Sequence, residues 1–347
     1  MITKSLTILT SFALILSASA EDAVKFKKIK LTDQFLSEGA HAGDFNKDGK
    51  MDIVAGWQWF AGPDFKQAHE FTPPPAKPYD GAKSYSDYFL TFVHDFNGDK
   101  WDDILVFSWP GKEAAWYENP QKPSGHWSKH VLLDEADNES PQLGDMNGDG
   151  KPDILEKNGW WEQPGNYRAG GEWRFHKTPF APAGLRGGAQ MLVMDVNGDG
   201  RRDVITSWDA HGYGIAWYEQ QIDGEFKEHI LVNTKPGDNQ YGVQFTQPHA
   251  MVLADINGDG LMDFVTGKRF WAHGPAADAE PGAPAVLYWF ELKRGPNKTA
   301  EYIPHKIDDD SGVGTQITAA DLNGDGKLDI ISANKKGLSF FIQEHTK

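Results

Sequence analysis

The chain has 347 residues, 39% apolar and 12% aromatic, which is enough for a sizeable core, and a formal charge of -16. Such acidity without a basic patch or tail argues against a nucleic-acid partner. The absence of cysteine excludes disulfides and a lipidated N-terminal cysteine.

The chain opens with Lys4, a short apolar run over 6–16 and small residues at Ala18 and Ala20. This is the pattern of a secretory signal cleaved after Ala20, so a secreted or periplasmic protein is expected. The run is too short to span a bilayer, which takes about 20 apolar residues. A strand-like segment, 24–31 (VKFKKIKL), leads to the first of six similar aspartate loops.

Each loop places oxygen side chains at positions 1, 3, 5 and 9. In chain order these are Asp44, Asn46, Asp48 and Asp52; Asp95, Asn97, Asp99 and Asp103; and Asp145, Asn147, Asp149 and Asp153. They continue with Asp195, Asn197, Asp199 and Asp203; Asp255, Asn257, Asp259 and Asp263; and Asp321, Asn323, Asp325 and Asp329. Calcium takes six to eight hard oxygens, and a glycine lets the backbone turn sharply around it. About six Ca²⁺ are therefore expected. With 18 of the 50 acidic residues in these loops, six such ions would bring the charge from -16 to -4. Apolar runs follow each loop and no glutamate stands at position 12, so the flanks are strands rather than the helices of an EF-hand.

Successive first aspartates are 51, 50, 50, 60 and 66 residues apart, a period that signals a propeller or another repeat array. Within each period one strand enters the loop, a second leaves it, and an aromatic strand follows, as in 115–118 (AWYE), 159–162 (GWWE) and 216–219 (AWYE). A polar turn and an outer strand ending near His130, His176, His229 or His305 complete the unit. Four strands per unit make a blade, and radial repetition hides sheet edges. The expected fold is an all-β single domain over 21–347, a propeller of six four-stranded blades, closed by pairing the N-terminal strand with the last blade. A seventh blade within 68–90 or 232–250 is the alternative.

These loops resemble the calcium-binding propeller repeats of the FG-GAP/VCBS type, also found in integrin α-subunits. The resemblance covers 24–344 and implies fold and metal, whereas the same scaffold serves adhesion, sugar binding and lyase chemistry. Lys47 and Lys100 depart from the glycines usual at their positions. A lysine at position 6 is expected to strain the second loop or bring an ammonium near the cation.

The aspartate loops join strand one to strand two and so share one end with the three-to-four turns. The longer loops fall at the other end, where loops on a repeat scaffold tend to carry function. Two are chemically dense: Trp208, Asp209, His211 and Tyr213, and Lys268, Arg269, Trp271 and His273. Starts of inner strands, His41, Gln142, Gln190, Gln247, His249 and Gln316, are expected beside them. Trp57, Trp59, Trp109 and Trp160 are expected to close second strands. The recurring His130, His176, His229 and His305 and the aromatic series Trp116, Trp161, Trp217 and Trp289 are expected to be structural. Asp209 stands as the one mouth carboxylate.

Imidazoles and cations framed by Trp suit a carbohydrate or glycan, whose ring faces stack and whose hydroxyls bond. A lyase would use His211 or His273 as base, Lys268 and Arg269 to hold a developing enolate, and Tyr213 as proton donor. This mouth is also similar to the propeller domain of aldos-2-ulose dehydratases, which act on keto-sugars, with no cupin domain following it here. A divalent metal such as Zn²⁺ on His41, His211, His249 or His273 is a further option. A non-catalytic lectin-like or adhesive propeller is the alternative to an enzyme, with a monomer as the default.

Overall fold

The computed structural model describes residues 24–122, 125–136, 142–165 and 171–345, so the signal segment lies outside the described residues. Six antiparallel four-stranded sheets form the blades. Blade one runs through Ala40–Gly43, Asp52–Ala55, Gln58–Ala61 and Gln67–Glu70. Blades two to five repeat the pattern over 90–136, 142–177, 191–232 and 248–308.

Blade six contributes Ile317–Ala320, Asp329–Asn334 and Gly337–His345, and its fourth strand is the N-terminal Val24–Thr32. Ile29 lies opposite Phe340 and Phe26 opposite Gln343, antiparallel. Both the blade number and the closure expected from the sequence are therefore found. The segments considered for a seventh blade instead hold the outer strand of blade one and a link with one 3-10 turn, Pro236–Asp238. Among the described residues no helix is long and apolar enough to cross a membrane.

Strand alternation sends one face of each blade against the next. Phe71 is fully buried, with its ring edge-on to Tyr117 of blade two at 4.9 Å between centroids. Burying such a ring contributes about 1.5–3 kcal/mol. At the aspartate-loop end, side chains tie neighbouring blades through the carbonyl at loop position 2. Asn119 Nδ2 donates to Phe45 O at 2.9 Å, Arg294 Nε to Val196 O at 2.9 Å and Gln343 Nε2 to Ile256 O at 2.8 Å.

The recurring histidines are structural. Each stacks on the Trp opposite it in register: His130 on Trp116, His176 on Trp160, His229 on Trp217 and His305 on Trp289, at 4.0–4.3 Å. His69 stacks on Trp59 in the same way in blade one. The sequence alignment needs one correction. Trp160, not Trp161, holds the repeat position in blade three, since Trp160 pairs with Leu155 and His176 while Trp161 is 40% exposed. Nor do Trp59 and Trp160 close second strands; they lie in third strands, Gln58–Ala61 and Gly159–Glu162.

Candidate functional site

The aspartate loops are built alike. In the third, Asp145 Oδ1 accepts the N–H groups of Gly148 and Asp149 at 2.8 and 3.1 Å, and Oδ2 accepts that of Gly150 at 3.0 Å. Asn147 Oδ1 accepts from Asp149 N and Asp149 Oδ1 from Lys151 N, at 3.0 and 2.9 Å. The loop folds this way because positions 4 and 6 take positive φ, as Gly148 and Gly150 do. Lys47 and Lys100 are held at φ +57° and +73°, left-handed values that cost a side-chain-bearing residue free energy.

Position nine is a hub. All six of these aspartates are fully buried. One oxygen accepts the N–H of loop position 2, for example Ile256 to Asp263 at 3.1 Å, and the other an N–H just past or near the end of the third strand, Leu292 to Asp263 at 2.8 Å. Burial pushes the Asp52 and Asp203 carboxyls up to about 6 and that of Asp263 to about 7, against the pull of those N–H bonds. Among the described residues, no three His, Asp or Glu side chains already form a metal-ligand cluster. The donor set nevertheless suits a hard cation. A carboxylate oxygen has two lone pairs, and the backbone takes only one at Asp145 Oδ2, Asn147 Oδ1 and Asp149 Oδ1.

At the opposite mouth, the loops of blades four and five meet. Gln247, at φ +57°, is the joint. Its N–H donates to Gly212 O at 2.7 Å, and its carbonyl accepts from His249 N and Arg269 N at 2.8 and 2.9 Å. Its buried side-chain amide has no hydrogen-bond partner among the described residues. This joint brings three imidazoles together: His211 lies 4.8 Å from His273 and 5.5 Å from His249 between ring centroids. Asp278, which sequence reasoning passed over, accepts the N–H groups of Ala272 and His273 at 2.8 and 2.7 Å and lies 3.5 Å from His273 Nδ1. Tyr213 is held above its ordinary range by burial and by its hydrogen bond to Glu280. Asp278 and Glu280 show that Asp209 is not the only mouth carboxylate. Their signal in the sequence was their place in the same long loop as His273.

Other candidates have protein partners. Lys268 is fully buried and donates to Thr246 Oγ1 and to Ala279 O, and burial lowers its pKa. Arg269 is equally buried, ion-paired with Glu38 and set over the Phe89 ring at 5.5 Å. Asp209 pairs with Arg186 at 3.0 Å and accepts His211 N at 3.0 Å, which shapes the turn. Trp208 is core, its Nε1 donating to Glu228 at 3.0 Å. Trp271 is half-buried, stacked on Phe270 and tied to Pro281 O at 2.8 Å.

The other inner-strand candidates, His41, Gln142, Gln190 and Gln316, do not gather with them. Gln316 bonds both backbone groups of Thr91, at 2.9 and 2.8 Å, and Gln190 accepts from Met251 N. These two amides splice inner strands of different blades. His41 bonds Ala42 O at 2.9 Å and faces Phe92, with its pKa lowered by burial. Gln142 is half-buried, opposite Leu155.

A six-bladed propeller with a metal-suited loop in every blade is thus the class of protein. Residues 95–156 and 195–266 match the model of the FG-GAP-like repeat family. The chain thus carries FG-GAP-like repeats on a six-bladed β-propeller. No curated protein sequence matches it. Among solved structures, it is similar to the Tc holotoxin pore of Photorhabdus luminescens, at 16% identity and TM-score 0.42, over 93% of this chain and 14% of that one. An Agrocybe aegerita lectin that recognises non-reducing terminal N-acetylglucosamine is similar at 16% identity and TM-score 0.38, over 93% of this chain and 80% of that one. An auxiliary nutrient-binding protein from Bacteroides ovatus follows at 10% identity and TM-score 0.41, over 90% and 70%. At these scores the likenesses carry no argument about ligands.

Proposed function

We propose that this is a secreted, calcium-stabilised propeller that binds a carbohydrate at the mouth between blades four and five. One observation carries the reading: His211 and His273 lie 4.8 Å apart between ring centroids, on two loops that also carry Tyr213 and Trp271, all four at least partly exposed and none at a repeat position. An aromatic face beside imidazole and phenol hydrogen-bonding groups matches a sugar ring and its hydroxyls. Calcium in the aspartate loops would hold the opposite end of the ring.

With Lys268 and Arg269 buried among protein partners, binding is favoured over a lyase that relies on them. Elimination from a keto-sugar is the second reading. It is supported by Tyr213, which stays protonated and able to donate to a leaving oxygen, and by Asp278, which orients the His273 ring. A Zn²⁺-like ion at the three imidazoles would belong to that reading.

A glycan array followed by calorimetry tests the proposal. Trp271→Ala and His273→Ala are expected to weaken the best ligand at least tenfold while leaving the melt unchanged. A flank cleft of about 620 Å³ between blades four and five, lined by Trp217, His229, Tyr241 and Glu301, provides the contrast. Binding that survives both mouth changes and fails with Tyr241→Ala would place the ligand there and defeat the mouth reading.

A further inference from the structure

The six aspartate loops are alike in their ligands and unlike in what stands behind them. In blades two, four and five the loop asparagine donates its amide N–H to a glutamate two residues after the rim Trp. Asn97 reaches Glu118 Oε1 at 3.2 Å, Asn197 reaches Glu219 Oε1 at 3.0 Å and Asn257 reaches Glu291 Oε1 at 2.8 Å. The other oxygen of each glutamate bonds the stacked histidine: His130 at 2.9 Å, His229 at 2.7 Å and His305 at 2.9 Å. The Trp therefore holds the His, the His holds the Glu, and the Glu holds the amide nitrogen. The amide oxygen faces the loop and accepts the N–H of position five at 2.9–3.0 Å, as it does in all six loops; in these three blades the glutamate adds a second hold on that orientation.

Blades one and six lack this chain. Ala61 and Ile342 occupy the glutamate's place, and in blade six Phe340 and Ile29 stand where the others have Trp and His. There Asn46 and Asn323 donate within the loop, to Asp48 Oδ2 and Asp325 Oδ2 at 3.1 and 3.2 Å, a bond that Asn97 and Asn257 also make, to Asp99 Oδ2 and Asp259 Oδ2 at 3.0 and 3.1 Å; the difference is the glutamate behind the nitrogen. Blade three keeps the His176–Glu162 bond at 2.7 Å, without an Asn147 contact to Glu162 among the described residues.

We infer that Glu118, Glu219 and Glu291 are positioning residues that fix the loop asparagine with its carbonyl toward the cation, and so grade the six loops by calcium affinity. The inference rests on the calcium reading above. An asparagine side chain has one end that ligates and one that repels a cation. A fixed carboxylate behind the nitrogen removes the repelling orientation before the ion arrives, so less ordering is left to do on binding. Partners at this distance from a metal typically change its affinity 10–100-fold. The loops of blades one and six, which have Ala61 and Ile342 in place of the glutamate behind the asparagine nitrogen, are the weak ones. These two blades flank the point where the chain closes on itself, so falling calcium would loosen the ring first at its closure.

The test is a calcium titration of the mature protein against a competing chelator, with bound ions counted by native mass spectrometry at fixed free calcium. The wild type is expected to fill in two classes at least tenfold apart. Glu219→Ile copies the residue that blade six carries there and should move one ion per chain from the tight class to the weak one. Ala61→Glu should move one the other way, and it guards against loss of folding in the first variant. Filling that is uniform, with neither variant changing the count, would overturn the inference and leave calcium binding standing. A wild type that retains no calcium would remove the calcium reading itself, and this inference with it.

Discussion

Glu38→Gln separates the two roles open to Arg269. Glu38 and Arg269 are both about 1% exposed, and the pair joins the lead-in to blade one with the loop of blade five. Neutralising Glu38 removes a counter-charge from a guanidinium held in the interior. Removing one partner of a buried pair costs about 3–5 kcal/mol. Lys335, whose pKa is lowered by burial, also feels the negative charge of Glu38. Unfolding entropy of about 2.1 cal/mol/K per residue, over the roughly 310 described residues, gives about 0.65 kcal/mol/K. The expected fall in Tm is thus about 4–8 °C, read by calorimetry in saturating calcium. The double change Glu38→Leu with Arg269→Met should recover most of it, because an apolar pair of similar volume needs no charge compensation. A Glu38→Gln protein that melts within 1 °C of wild type yet loses glycan affinity would refute the reasoning and return Arg269 to the ligand.

The remaining predictions concern the ring and its ions. In chelator, Asp52, Asp203 and Asp263 keep folded pKa values raised to about 6, 6 and 7. Their contribution to stability is full below about pH 4 and is lost as pH rises through those values. The gain in Tm on adding calcium should therefore widen from pH 5 to pH 8, and a gain that stays flat would contradict the loop assignment. A chain beginning at Asp33 lacks the fourth strand of blade six and should lose cooperative unfolding or aggregate through the bared edge, as sedimentation would show. Gly314→Ala would place a methyl 2.0 Å from Glu38 O and 2.2 Å from Ala333 O. Both neighbours are backbone, so destabilisation at or above about 3 kcal/mol is expected from urea unfolding.

Much of the fold is legible in the sequence because each feature is stated several times. One DxNxDG loop is an ordinary turn, whereas six at a steady interval define the blade. The closure is legible for a related reason: 24–31 is an outer strand with no blade before it, and 338–342 an aromatic strand with no outer strand after it. The rim also repeats, which is why its histidines could be set aside as structural. Trp160 and Trp161 show the limit of this reading. Adjacent residues of one type differ only by the parity of the strand, and parity is fixed by register with Leu155 and His176 rather than by composition.

The mouth was legible as a place and not as a chemistry. Two cations in a row at a strand end ordinarily mark a solvated or ligand-facing surface. Lys268 and Arg269 instead turn inward, because the charge that permits this for Arg269 comes from Glu38, 231 positions earlier in the chain. Nothing local could reveal that pairing. Trp208 and Trp271 likewise stand at similar places in similar loops, yet one is core against Gly214 at φ +98° and the other stays partly open.

What separates scaffold from site in this molecule is repetition itself. A side chain that recurs in every blade answers to a demand that every blade shares, such as the buried aspartate at loop position nine. His211, His249 and His273 come from three unlike positions: a loop of blade four, an inner strand of blade five and a loop of blade five. No symmetry of the ring brings them together; the left-handed turn at Gln247 does. The proposed ligand position is therefore confined to the sector of blades four and five. On the proposed reading a ligand should bind once per chain where calcium would bind several times, and changes in blades one to three should leave the ligand's affinity untouched.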